Sequence, residues 1–109
     1  MERLQASVVA NRLQDWTGQR VYVHLEVNPG AYWRNGSAVL SRGHVKGDGS
    51  YRVYLELDDG SGMIHVDDLT HMEVTDDMLI VIGFDDIERL ARTLEVSLRP
   101  FPMRGEEES

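Results

Sequence analysis

The sequence contains no cysteine, which removes disulfides, thiolate metal sites and cysteine nucleophiles from consideration. It has one lysine, Lys46, and arginines scattered singly, against 19 Asp and Glu residues and a net charge of −8. Duplex nucleic acid is bound mainly by Lys and Arg neutralising phosphates. A chain this acidic, with no basic run, is not expected to bind it. Long apolar runs are missing as well. The longest, Met78 to Ile82, falls far short of the ~20 residues that a membrane-spanning helix needs. The opening MERLQASVV is broken by Glu2, Arg3 and Gln5 and lacks the basic start and apolar stretch of a signal peptide. The expected location is the cytoplasm, with no membrane partner.

Catalytic signatures are equally scarce. Glycines at 43, 47, 49, 60 and 62 fit neither the GxxxxGK[ST] loop nor a GxGxxG that opens a helix. No serine sits in a GxSxG elbow. Nothing indicates an enzyme, and no motif identifies a cofactor.

What is present is turn chemistry and alternation. At 109 residues with 41% hydrophobic and 28% charged residues, the chain is one soluble domain with material for one core. Ala6, Val9, Ala10, Leu13 and Trp16 recur at helical spacing, which predicts a helix over about 2–16 that caps a sheet and ends at Thr17-Gly18. Val21, Val23, Leu25 and Val27 alternate with Tyr22, His24 and Glu26, the clearest strand in the chain. Asn28-Pro29-Gly30 reads as a type II turn. Asn35-Gly36 reads as a hairpin corner, followed by a strand over 37–45 with Ala38, Leu40 and Arg42 on one side and a bend at Gly43. The stretch 47–74 is a β-meander. Tyr51, Val53, Leu55 and Leu57 share one face of its first strand, Asp58-Asp59-Gly60 turns the chain, and strands at 63–66 and 71–74 follow. Met78 to Phe84 is apolar throughout and predicts a strand covered on both faces, mid-sheet or at a subunit interface. Residues 87–98 carry helical and strand spacing equally, with Arg92 as the misfit in strand parity and Asp85-Asp86 as helix cap or hairpin corner. The expected architecture is a single mostly-β domain over 1–103. It is an antiparallel meander forming a small barrel-like or two-sheet unit, with one N-terminal α-helix packed on it and a mobile acidic tail at 104–109.

Three polar or aromatic groups stand out as candidate sites. His24 and Glu26 share a strand face and are expected to meet Arg52 and Tyr54 across strands as a ligand-binding face; the plainer alternative is a solvated polar face. His65, Asp67, Asp68 and His71 flank a corner where two imidazoles and two carboxylates would suit a divalent metal, while Asp-Asp is also ordinary turn chemistry. Tyr32 and Trp33 are aromatics beside a turn, of the kind enriched at protein interfaces or packed at a core rim. Ile80 and Ile82, on the apolar strand, are candidate interface residues.

YVHLEVNPGAY (22–32), RNGSAVLSRGHVKGDGSYRVYLEL (34–57), GMIHVDDLTHMEV (62–74) and LEVSLRPF (94–101) together resemble the YojF family of small bacterial proteins of unknown function. The resemblance implies a mostly-β domain with a helix, a final segment that is a strand, and homodimers. It also implies an accessory role, non-catalytic, beside a deacetylase of the kind used in making bacillithiol. The corner at 65–68 is more acidic and richer in histidine than that family's pattern, so no residue role carries over there.

Overall fold

The computed structural model describes residues 1–103; the acidic tail expected at 104–109 lies outside them. The chain runs β1 (Glu2–Arg3), α1 (Ala6–Asp15), β2 (Arg20–Val27), β3 (Ala31–Gly47), β4 (Tyr51–Leu57), a 3-10 turn (Asp58–Gly60), β5 (Gly62–Leu69), β6 (His71–Val74), β7 (Met78–Phe84) and β8 (Leu90–Ser97). All eight strands join one antiparallel sheet in the order β1-β6-β7-β8-β2-β3-β4-β5. The sheet curls without closing, so the expected mostly-β, barrel-like architecture with one helix is the observed one.

Alternation places the core. Val21 and Val23 of β2, Val53, Leu55 and Leu57 of β4, Ile64 and Val66 of β5, Leu79 and Val81 of β7, and Leu94 and Val96 of β8 all face inward and are buried. The helix adds Val9, Leu13 and Trp16 to the same cluster. Leu13 lies so close to Gly43 that a Cβ there would stand 2.6 Å from its Cδ1. Gly43 is therefore a contact point for the helix. No helix is long and apolar enough to cross a membrane, among the described residues.

Four expectations change. The helix starts at Ala6, because Glu2 and Arg3 pair with Met72 and His71 at the free edge of β6. The turn at 28–30 contains a cis Asn28-Pro29 peptide in place of a type II geometry. Asn35-Gly36 is no corner: β3 runs straight through it. Asn35, at φ 61, is the extra residue of a bulge opposite Val23 and His24. The left-handed backbone that suits Asn in a tight turn suits it equally in a bulge. A second bulge between Leu40 and Arg42 flips the parity of β3, which leaves Arg42 exposed and turns Val45 toward the core.

Residues 90–97 are a strand. As β8 they fill the gap between β7 and β2 and satisfy both neighbours' ladders, which a helix would leave open. Asp85 builds the preceding loop, its Oδ1 accepting from the backbone N–H of Ile87 (3.0 Å) and Arg89 (2.9 Å). Arg92, the parity misfit, sits at the sheet's open end and donates from Nη1 to the Asp68 carbonyl at 3.1 Å. Opposite it, a Cβ on Gly83 would lie 2.0 Å from that carbonyl oxygen. Gly83→Ala is therefore expected to force β5 away from β7 and to lower stability by about 1–3 kcal/mol, read by urea unfolding. An unchanged midpoint would show that the approach is not tight.

Candidate functional site

The outer face of β2 carries Tyr22, His24 and Glu26, and the ladder sets His24 between Glu95 of β8 and Arg34 of β3. His24 is only 6% exposed. The segment after β8 folds back over β2 and β3 and lays Phe101, itself buried, edge-on to the imidazole with ring centroids 6.2 Å apart. Arg34 Nη1 lies 3.2 Å from His24 Nδ1, and His24 Nε2 lies 3.0 Å from Glu26 Oε1. A guanidinium has only donors, so Nδ1 accepts, and the ring proton on Nε2 is donated to Glu26. The Glu26 carboxyl is held below its ordinary value first by that bond, then by the Asn28 side chain.

Arg34 and Asn35 also grip the returning chain. Arg34 Nε donates to the Pro102 carbonyl at 3.0 Å, and its guanidinium stands 5.1 Å from the Phe101 ring centre. The Asn35 carboxamide reads both polar groups of Phe101. Its Oδ1 accepts the backbone N–H at 2.6 Å, and its Nδ2 donates to the carbonyl at 2.8 Å.

A second polar face lies on β3, β4 and β5, where the ladder sets side chains in rows: Arg42, Glu56, Met63; then His44, Tyr54, His65; then Lys46 and Arg52, with Asp67 beside them. His44 stacks on Tyr54 with centroids 4.3 Å apart, and its Nε2 lies 2.6 Å from Glu56 Oε2. Asp67 Oδ1 receives Arg52 Nε at 2.9 Å and His65 Nε2 at 3.0 Å. Its carboxyl is held below the usual range first by Arg52, then by His65. Both partners are exposed, so these pairs add little stability.

The expected group of His24, Glu26, Arg52 and Tyr54 is thus split in two. β3 is 17 residues long and pairs with β2 through its first half and with β4 through its second. Arg52 and Tyr54 consequently meet Lys46 and His44, while His24 and Glu26 meet Arg34 and Tyr32. The corner at 65–71 does not gather its residues either. His65 faces Tyr54 and Asp67, Asp68 at φ 56 turns its side chain toward Ser50, and His71 pairs with Thr70 Oγ1 and packs edge-on against Phe84. Among the described residues no three His, Asp or Glu side chains are placed to hold a metal ion. His65 and His71 share strand parity. Strand order separates them, because β5 forms one edge of the sheet and β6 lies near the other, with the irregularity at Asp68 between them, and spacing alone states neither. Of the four interface candidates, Tyr32 and Trp33 are exposed, Ile80 is half-buried and Ile82 buried on the outer side of β7. Sequence reasoning missed Arg34, Asn35, His44 and Phe101. The two prolines that flank Phe101 mark an irregular segment, but nothing local says where it lands.

These features define a class: a small curled antiparallel-sheet domain with an N-terminal helix, whose outward polar side chains pair mostly with one another and whose C-terminal segment straps the outer face. The chain belongs to the family described as "Protein of unknown function (DUF1806)", which matches residues 3–101. It is 30% identical over 115 residues to the uncharacterized protein YojF of Bacillus subtilis (strain 168), spanning 92% of this chain and 93% of that one. The crystal structure of Bacillus subtilis YojF superimposes with a TM-score of 0.84 at 29% identity, covering 94% of this chain and 97% of that one.

Proposed function

We propose that the protein is a cytoplasmic, non-catalytic interaction protein that works as a homodimer and docks a further protein. The observation that carries this reading is the placement of exposed apolar side chains. Of the nine large apolar residues exposed among the described ones, six come from two hairpins: Val27, Tyr32 and Trp33 from β2–β3, and Phe84, Ile87 and Leu90 from β7–β8. The hairpin tips are neighbours, joined by the Asn28 N–H donating to the Ala91 carbonyl at 2.8 Å. Monomers seldom expose so much apolar surface at one end, and such concentrations mark association sites. On the same β7, Ile80 is half-buried on the outer side and adds apolar surface there, whereas Ile82 is already covered within the monomer. A deacetylase of the bacillithiol type, the partner class that the family resemblance implies, is the proposed docking protein.

The alternative of a small-ligand module on the His24 face is less favoured, because both ring nitrogens of His24 already have protein partners. Sedimentation velocity at micromolar concentration tests the main reading. The wild type is expected to sediment as a dimer, and the triple variant Tyr32→Ser, Trp33→Ser, Ile87→Ser to dissociate at least tenfold more readily, since buried aromatic anchors dominate such interfaces. A monomeric wild type would overturn self-association. Separate elution of the protein and the deacetylase from a sizing column would overturn the docking role.

A further inference from the structure

The second bulge of β3 does more than reverse parity. Ser41 is its extra residue, and Ser41 and Arg42 both line one groove, whereas neighbours on an unbroken strand point to opposite faces. Ala10 and Gln14 of α1 and Thr17 just beyond it form the facing wall, and Gly43 lines the groove where α1 comes down on β3. The groove encloses about 530 Å³, a volume in the range of small-molecule sites.

Its polar lining is supplied with unused donors. The exposed Arg42 guanidinium and the Gln14 carboxamide have no hydrogen-bond or ion-pair partner among the described residues. Glu56 is the ladder neighbour of Arg42, but its carboxylate is held by His44 Nε2 at 2.6 Å. The Ser41 hydroxyl oxygen accepts the Asp59 N–H at 2.7 Å. That bond pins the side chain and leaves its own proton to donate.

The walls also offer little that repels an anion. No acidic residue lines the groove, whereas the clefts at Lys46–Asp68, at the hairpin tips and beside β6 each carry a carboxylate. The C-terminal end of α1 lies here, and open carbonyls at such an end oppose negative charge. These are covered. Leu13 O accepts from Thr17 Oγ1, Gln14 O from the Thr17 N–H, and Asp15 O from Gln19 Nε2.

We propose that the groove between α1 and β3 binds a small organic anion, a carboxylate or a phosphate monoester, whose charged group lies on the Arg42 guanidinium. The planar guanidinium fork matches two oxygens of either group. Ser41 Oγ and Gln14 Nε2 donate to the same group, and the body of the ligand lies along Ala10 and Gly43. The site is separate from the hairpin tips and from the His24 face, so it stands or falls independently of self-association.

Titration of the isotope-labelled full-length protein, followed by NMR, tests this. The probes are benzoate and phenyl phosphate, with acetate, inorganic phosphate and neutral benzamide as controls. Saturable shifts are expected at the Arg42 Nε–H, the Ser41 and Gly43 amides and the Gln14 side-chain amide. The tighter of the two aromatic anions identifies the charged group, and benzamide should give no such shifts. Arg42→Gln is expected to weaken that anion about tenfold or more, because a hydrogen bond to a charged group is lost. Its urea midpoint should not move, since Arg42 has no partner to lose, and Gln14→Ala should weaken binding by less. Shifts that do not saturate, that benzamide reproduces, or that Arg42→Gln leaves unchanged overturn the site. Acetate and inorganic phosphate binding as tightly as their aromatic counterparts overturns the organic ligand.

Discussion

Trp16→Ala is expected to lower the free energy of unfolding by about 3–5 kcal/mol, a large share of the roughly 5–15 kcal/mol that a domain of this kind has in total. Trp16 caps the C-terminal end of α1 and is 3% exposed within the core cluster. Its ring also carries the Arg12 guanidinium 5.6 Å from its centre, and Arg12 in turn donates to the Thr75 and Asp76 carbonyls. The indole therefore fills volume at the place where the helix is tied to the turn before β7. Removing it leaves a cavity and loosens that tie together. Trp33 is the control: half of its surface is already in water, so Trp33→Ala should change stability by no more than about 0.5 kcal/mol when the protein is dilute. Urea unfolding followed by circular dichroism measures both. A Trp16→Ala loss under about 1 kcal/mol would mean that the helix does not hold the curled sheet together.

The helix was legible because Val9, Leu13 and Trp16 recur at its period, and β2 and β4 because their alternation is strict. A parity pattern needs no knowledge of neighbours. Bulges hide from the same reading. Asn35-Gly36 reports that a left-handed backbone is wanted, and a bulge and a corner want it alike; only the continuation of β2 past that point decides between them. Arg42 lies on the face opposite to the one that simple alternation gives it for a related reason, since one extra residue after Leu40 reverses every later side chain of β3. Residues 90–97 were ambiguous because their spacing fits both periods. What settles the matter is the pair of open ladders on β7 and β2, a fact about the sheet and not about the segment.

The sites were less legible than the fold because each depends on strand order. Sequence places His24 and Glu26 on one face, two residues apart. Their cross-strand partners follow from β8-β2-β3 being neighbours, which no local signal states. Arg52 and Tyr54 have the right parity and belong to a different part of the sheet. Phe101 was the hardest to find, for it reaches His24 by way of a segment without any period.

His24→Ala is expected to lower stability by about 2–4 kcal/mol, because it removes a buried ring and leaves both Arg34 and Glu26 short of a partner. Losing the ring also removes the surface on which Phe101 packs, so the Asn35 side-chain amide resonances should move toward positions of an unbound carboxamide. The Glu26 half of the arrangement has its own signature in pH. Its folded-state carboxyl lies below the reference value of 4.5, first through the His24 bond. A depressed folded value means stabilisation that is present above the unfolded value and is lost as pH falls through the folded one. The stability difference between wild type and Glu26→Gln should therefore stay constant from about pH 7 to about pH 5 and close below about pH 4. Taking the difference cancels the other carboxylates, which titrate in both proteins. Denaturant unfolding at several pH values gives the curve, and a difference that persisted undiminished under acid would show that the ionised carboxylate is not what His24 Nε2 holds.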